Sequence, residues 1–263
     1  MTFDQLLAEW RSYESAQQVP AGWTQGRATF GGLVAAMLYE KMAAHVDADA
    51  SLRSLTISFV GPVGAGPIEI SSNTLRAGRS VTQVEGHIRQ GDSVLLAGLA
   101  SFGKGRESNI GVATDRAPAF KLPDECEALP YIPGVVPEFT QKFDYRIARG
   151  QLPFSGSSDT HLGGWVRFKD GSDSEVTVAH LLALIDAWPP AILPMLTVPA
   201  PASSLTWTVE FIEPLPQFGG DSWWQYLAEV EQAADGYGVI QARLWDVEGT
   251  LVAFTRQTVT VFD

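Results

Sequence analysis

The chain repeats itself at long range. A helix-like stretch followed by four strand-like stretches occurs twice, at an offset of roughly 150–160 residues. In the first copy, WTQGRATFGGLVAAMLYEKMAAHV begins at Trp23 and places Phe30, Leu33, Val34, Met37 and Leu38 at helical spacing. Ala35 and Ala36 keep its other faces small, so this helix can be packed on most sides. Gly31-Gly32 stands at its start, where backbone N–H groups have no partner inside the helix. Strand-like runs follow at Ser54–Val60, Ile68–Leu75, Ser80–Arg89 and Val94–Phe102. In the second copy, VTVAHLLALIDAW (Val176–Trp188) is helical and is stopped by Pro189-Pro190. Strand-like runs follow at Ser204–Phe211, Trp223–Gln232, Gly238–Asp246 and Leu251–Val261. The copies share wording: SLTISF (54–59) answers SLTWTVEF (204–211), and QGDSVLLAG (90–98) answers VEGTLVAFT (247–255). That offset is too long for a solenoid and suits a duplicated small domain. The order predicts an α+β architecture, with residues 1–103 and 141–263 as the two units. Residues 104–140 read as an extended linker, whose five prolines argue against regular structure.

Composition narrows the class. Of 263 residues 45% are hydrophobic, with 13 Phe and 8 Trp, which supplies a real core and rules out disorder. No apolar run approaches the roughly 20 residues of a membrane span. The stretch MTFDQLLAEWRSYE carries acids without a basic segment, unlike a secretory signal. The single Cys126 excludes intrachain disulfides and thiolate zinc clusters and fits a cytoplasmic setting. A net charge of −12 without cation clusters argues against nucleic acid. The charge is uneven: residues 1–103 sum to −2 and residues 141–263 to −8. An anionic ligand should therefore land on the first unit, and Arg76 and Arg79, flanking a turn, are the leading phosphate contacts. The four His residues lack ligand spacing, so no metal is expected. SGSS (155–158) lacks a nucleophile elbow, and GPVGAGP (61–67) has no P-loop lysine.

FGGLVAA (30–36), SLTISFVGPVGAGP and RAGRSV, with GGWVRFKDG (163–171), LIDAWPPA (184–191) and GYGVIQARLWDVEGTLVAFTRQ (236–257), resemble the double hotdog acyl-CoA thioesterases of the thioesterase II type. The resemblance spans roughly Trp10 to Val261. It implies a tandem hotdog of two long helices, each wrapped by a curved antiparallel sheet. The implied substrate is an acyl-CoA at the seam between the halves, hydrolysed by water without a cofactor. It leaves a homo-oligomer open. The family's catalytic Asp, Thr or Ser, and Gln carry over onto Asp186, Ser204 and Gln257, with Thr206 as the competing hydroxyl.

The residues support these assignments to different degrees. Asp186 lies in an apolar helix between Ile185 and Ala187, where a carboxylate is costly unless it is bonded or used. A helix C-terminus is also a poor place for an anion. Gln257 alternates with Thr255 and Val259 on one strand face, opposite Arg256, and its amide can hold a water through both donor and acceptor. Strict alternation puts Ser204 and Thr206 on one face. Gly31 and Gly32 could bind substrate through free N–H groups, serve the Asp186 site or a lost second one, or merely form a turn. The first unit has no carboxylate matching Asp186, and Ala100 falls opposite Gln257, so one active site per chain is expected. A non-catalytic acyl-CoA binding protein is the alternative. A hotdog dehydratase is disfavoured because no His is suitably placed.

Overall fold

The computed structural model describes residues 2–12, 16–171 and 175–262. The remaining positions of the two expected units, residues 1, 13–15, 172–174 and 263, lie outside the described residues. Helix α1 (Phe3–Ser12) leads into β1 (Ala16–Gln18), the hairpin β2 (Thr24–Gln25) and β3 (Ala28–Thr29), and helix α2 (Gly31–Ala43). The strands β4 (Ser51–Phe59), β5 (Pro67–Ala77), β6 (Val81–Gln90) and β7 (Ser93–Gly103) complete the first repeat. The second contains β8 (Glu127–Ala128), β9 (Phe143–Arg149), β10 (His161–Phe168), helix α3 (Val178–Asp186), β11 (Ala202–Phe211), β12 (Trp224–Ala234), β13 (Tyr237–Trp245) and β14 (Leu251–Val261).

Twelve strands form one antiparallel sheet in the order β1-β5-β6-β7-β4-β11-β14-β13-β12-β10-β9-β8. The repeats join at the pairing of β4 with β11, where Ile57 lies opposite Trp207. The two repeats thus share a single continuous sheet, with α2 and α3 on its inner face. Eight residues of α2, including Leu33–Leu38, are buried, as an all-round apolar helix requires. The same holds for Val178–Ile185 in α3.

The helices differ from expectation. α2 has 13 residues and α3 only 9, so the pair is shorter than two long helices. A third helix, α1, packs Phe3, Leu6, Leu7 and Trp10 into the core. The segment 104–140 is also less featureless than its prolines suggest. It contains a short 3-10 turn at Pro123–Glu125 and the start of another at Glu138–Lys142, and β8 pairs with β9. The indole N–H groups of Trp245 and Trp165 donate to the carbonyls of Asp115 and Lys121 at 3.1 and 2.9 Å, tying this segment to the second repeat.

Candidate active site

Asp186 is the last residue of α3, stopped there by the Pro189-Pro190 pair that begins three residues on. Its Oδ1 accepts a hydrogen bond from Gln257 Nε2 at 2.9 Å. The backbone N–H of Gly32 donates to the same carboxyl group. Gly32 can do so because Phe30, which precedes α2, provides no side-chain cap and leaves first-turn donors free. A carboxylate at the end of one helix therefore meets the positive end of the other. The site spans both repeats.

Two glycines make this approach feasible. A Cβ on Gly31 would lie 2.7 Å from Asp186 Oδ2 and 3.2 Å from the Phe59 ring. A Cβ on Gly32 would lie 2.5 Å from the Phe30 ring and 3.0 Å from the Ala183 Cα, where the helices cross. Protein packs closely around the carboxyl, and burial pushes its pKa up to about 7. The hydrogen bonds from Gln257 and Gly32 act in the opposite direction and keep the shift from being larger.

Aromatic residues wall the same end of α3. Tyr145 Oη donates to the Ala187 carbonyl at 3.1 Å. The Trp188 ring stacks on Tyr226 at 5.6 Å and meets Tyr145 edge-on at 5.7 Å. Both phenols are raised, mainly by burial and further by the Asp186 charge, so both stay protonated. Trp188 Nε1 is buried without a hydrogen-bond partner among the described residues. Sequence reasoning missed these three aromatics. Trp188 stood two residues from Asp186, but Tyr145 and Tyr226 arrive from β9 and β12 with no local signal.

The hydroxyl candidates separate. β11 carries a bulge between Ser204 and Thr206: Ser204 pairs with Val259, Thr206 with Thr258, and Trp207 with Gln257. The bulge breaks the alternation, so Ser204 lies level with buried Val259 while Thr206 is exposed on the outer face. The expectation that both share a face is therefore corrected. Among the described residues, no hydrogen bond links either hydroxyl to Asp186. Arg76 and Arg79 are not brought together with the site either. Ile70 is level with Phe59 through the pairings of Ile88 and Leu96, and Arg76 lies six residues further along β5, about 20 Å away. A groove of about 300 Å³ lined by Glu210, Arg243, Phe254 and Arg256 opens on the outer face. It lies across the sheet from Gln257 and is not the Asp186 site. Among the described residues, no three metal-ligating side chains gather at one point.

A continuous antiparallel sheet around two central helices, with one carboxylate held between the helix ends, defines a double hotdog protein. The sequence model of the acyl-CoA thioesterase N-terminal domain matches residues 19–103, and that of the acyl-CoA thioesterase C-terminal domain matches residues 123–261. The chain belongs to the acyl-CoA thioesterase family. Among solved structures it is similar to a hot dog fold protein of unknown function from Alicyclobacillus acidocaldarius, with 25% identity and a TM-score of 0.84. That match covers 94% of this chain and 92% of the other. It is also similar to the acyl-CoA thioesterase II TesB2 of Mycobacterium marinum, with 20% identity, a TM-score of 0.73, and coverage of 97% and 98%. A search of curated protein sequences finds no match.

Proposed function

We propose that the protein hydrolyses an acyl-CoA thioester to a free acid and coenzyme A at Asp186. The observation that carries this reading is a half-buried carboxyl group, poised near neutrality, gripped by Gln257 from one side and the open N-terminus of α2 from the other. A carboxylate with a pKa near the working pH is suited to general base catalysis. Gln257 uses an amide proton on Asp186, which leaves its Oε1 free to accept from a water.

In this scheme the water is held between Asp186 and Gln257. Asp186 takes one proton as the water oxygen bonds to the thioester carbonyl carbon. Negative charge develops on the carbonyl oxygen, which the first-turn N–H of Gly31 stabilises. The intermediate collapses, the C–S bond breaks, and the departing thiolate takes the proton back from Asp186. Ser204, on the inner side of the β11 bulge, is the hydroxyl available to orient the water or the substrate. Residues 1–103 and 141–263 act as the two units, and the acyl-CoA lies across their seam.

The decisive experiment offers purified protein a panel of acyl-CoAs with a thiol reporter. Thiol release by the native chain and its loss in Asp186→Asn is the expected result. Equal release by both would remove Asp186 from the reaction, and no release from any member would leave acyl-CoA binding without turnover. The missing hydrogen bond between Ser204 and Asp186 is the feature that favours that second reading.

A further inference from the structure

The helix pair has two ends, and only one of them is the Asp186 site. At that end the start of α2 meets the end of α3. At the other, the start of α3 and the last turns of α2 are spanned by α1. Asp4 Oδ1 is 3.2 Å from His180 Nε2 on α3, and Arg11 donates to Glu40 on α2 through Nε at 2.7 Å and Nη2 at 2.8 Å. Seven residues of helix separate the two latches, about 10 Å.

This second end is the counterpart of the first, with its chemistry removed. Matching the residues that precede the helices, Phe30 and Thr177, sets Tyr39 at the place of Asp186 and Ala179 at that of Gly32. Matching the Leu55–Ala100 pair with the Trp207–Gln257 pair sets Ala100 at the place of Gln257. The start of α3 also carries a side-chain contact of its own. His180 Nδ1 accepts from the Thr177 backbone N–H at 3.2 Å, which leaves Nε2 carrying the proton given to Asp4. α2 has no such cap.

What fills the second end is apolar. Phe3, Leu6, Leu7 and Trp10 form one buried stripe of α1, and the Phe3 ring lies 5.0 Å from both the His180 and Phe168 rings. We propose that α1 is the built-in occupant of a second, chemically silent cleft, its stripe lying where a long acyl chain would otherwise lie. The place that α1 fills follows from the geometry; that it would take an acyl chain rests on the proposed function. Displacing α1 opens a site for one apolar chain and leaves the Asp186 site untouched.

The test uses two full-length variants and cis-parinaric acid, a fluorescent fatty acid with no thioester. Asp4→Lys/Arg11→Glu turns both latches repulsive; Leu6→Asp/Leu7→Asp spoils the stripe. Each variant is expected to bind one more equivalent of the probe than the native chain. A synthetic peptide of residues 2–12 should displace that equivalent. Thiol release by the latch variant should stay within twofold of native. An unchanged probe stoichiometry, or a probe that the peptide leaves in place, overturns the proposal. If the stripe variant loses its cooperative melt, the latch variant decides alone. A chain that hydrolyses nothing would sink the thioesterase reading without moving these binding readouts.

Discussion

Gln257 and Asp186 are 71 residues apart in sequence and joined by a 2.9 Å hydrogen bond in which the amide is the donor. That direction matters. An amide proton on Oδ1 stabilises the ionised carboxyl, yet burial outweighs it, and the group settles near neutrality instead of in the usual carboxylate range. The same bond orients the Gln257 carbonyl oxygen as an acceptor beside the base, so one contact tunes Asp186 and prepares a place for water.

Hydrolysis should therefore depend on Asp186 being ionised. kcat/KM is expected to rise about tenfold per pH unit below about 7 and to level off above it. In Asp186→Asn the rate should fall at least about 100-fold and lose this limb. Initial rates from pH 5 to 9, with circular dichroism to confirm folding, check both.

Gln257→Ala removes a donor that holds the Asp186 pKa down. The acidic limb should move to higher pH, and the plateau should drop by roughly 10- to 100-fold through loss of the water contact. Arg256 faces the other side of β14, where it pairs with Glu231. Arg256→Ala should leave rate and profile within about twofold. The reverse ranking would contradict the strand register.

These features were legible to unequal extents. The duplication showed because apolar periodicity switches from helix to strand at matching places in both copies. The face of Gln257 was readable by alternation because β14 keeps regular pairing with β11 from Ala253 to Thr258. The same rule failed at Ser204 and Thr206, since a bulge is a property of the paired strands and leaves no mark in SSLTWT. Segment charge pointed to Arg76 and Arg79, but net charge does not say which end of a strand faces the site. α1 hid for a similar reason: Phe3, Leu6, Leu7 and Trp10 have helical spacing, yet their partners lie on distant β10 and α3. Tyr145 and Tyr226 reach Asp186 only through long-range pairing.

The two glycines should fail differently. Gly31→Ala sets a methyl 2.7 Å from Asp186 Oδ2, so the carboxyl must shift away. Activity should drop at least about tenfold with little change in melting temperature, since the other near neighbour is a ring edge at 3.2 Å. Gly32→Ala presses on the backbone of Ala183 at the helix crossing and should cost about 1–3 kcal/mol of stability. Kinetics and thermal melts on both variants separate the effects.

The bulge in β11 makes a sharp claim about hydroxyls. Thr206→Val changes an exposed outer-face residue and should leave kcat/KM within about twofold. Ser204→Ala, on the inner side, should lower it by about tenfold or more. Equal losses at both positions would mean that the bulge lies elsewhere in solution.

Asp186 should also weaken the fold that contains it. Its pKa is about 7 in the folded chain against an ordinary 3.8. Between those values the folded protein holds a proton that the unfolded chain has lost, so stability falls as pH rises through this window. Above about pH 7 the penalty is complete, at most roughly 4 kcal/mol. Asp186→Asn removes the titration while an amide oxygen can still accept from Gln257. The variant should therefore melt several degrees above the native chain at pH 8, with the gap closing toward pH 4.5. Thermal melts across that range check the prediction. A native chain more stable than the variant at pH 8 would show that the site favours the ionised carboxylate, and the neutral-pH base assigned to Asp186 would have to be given up.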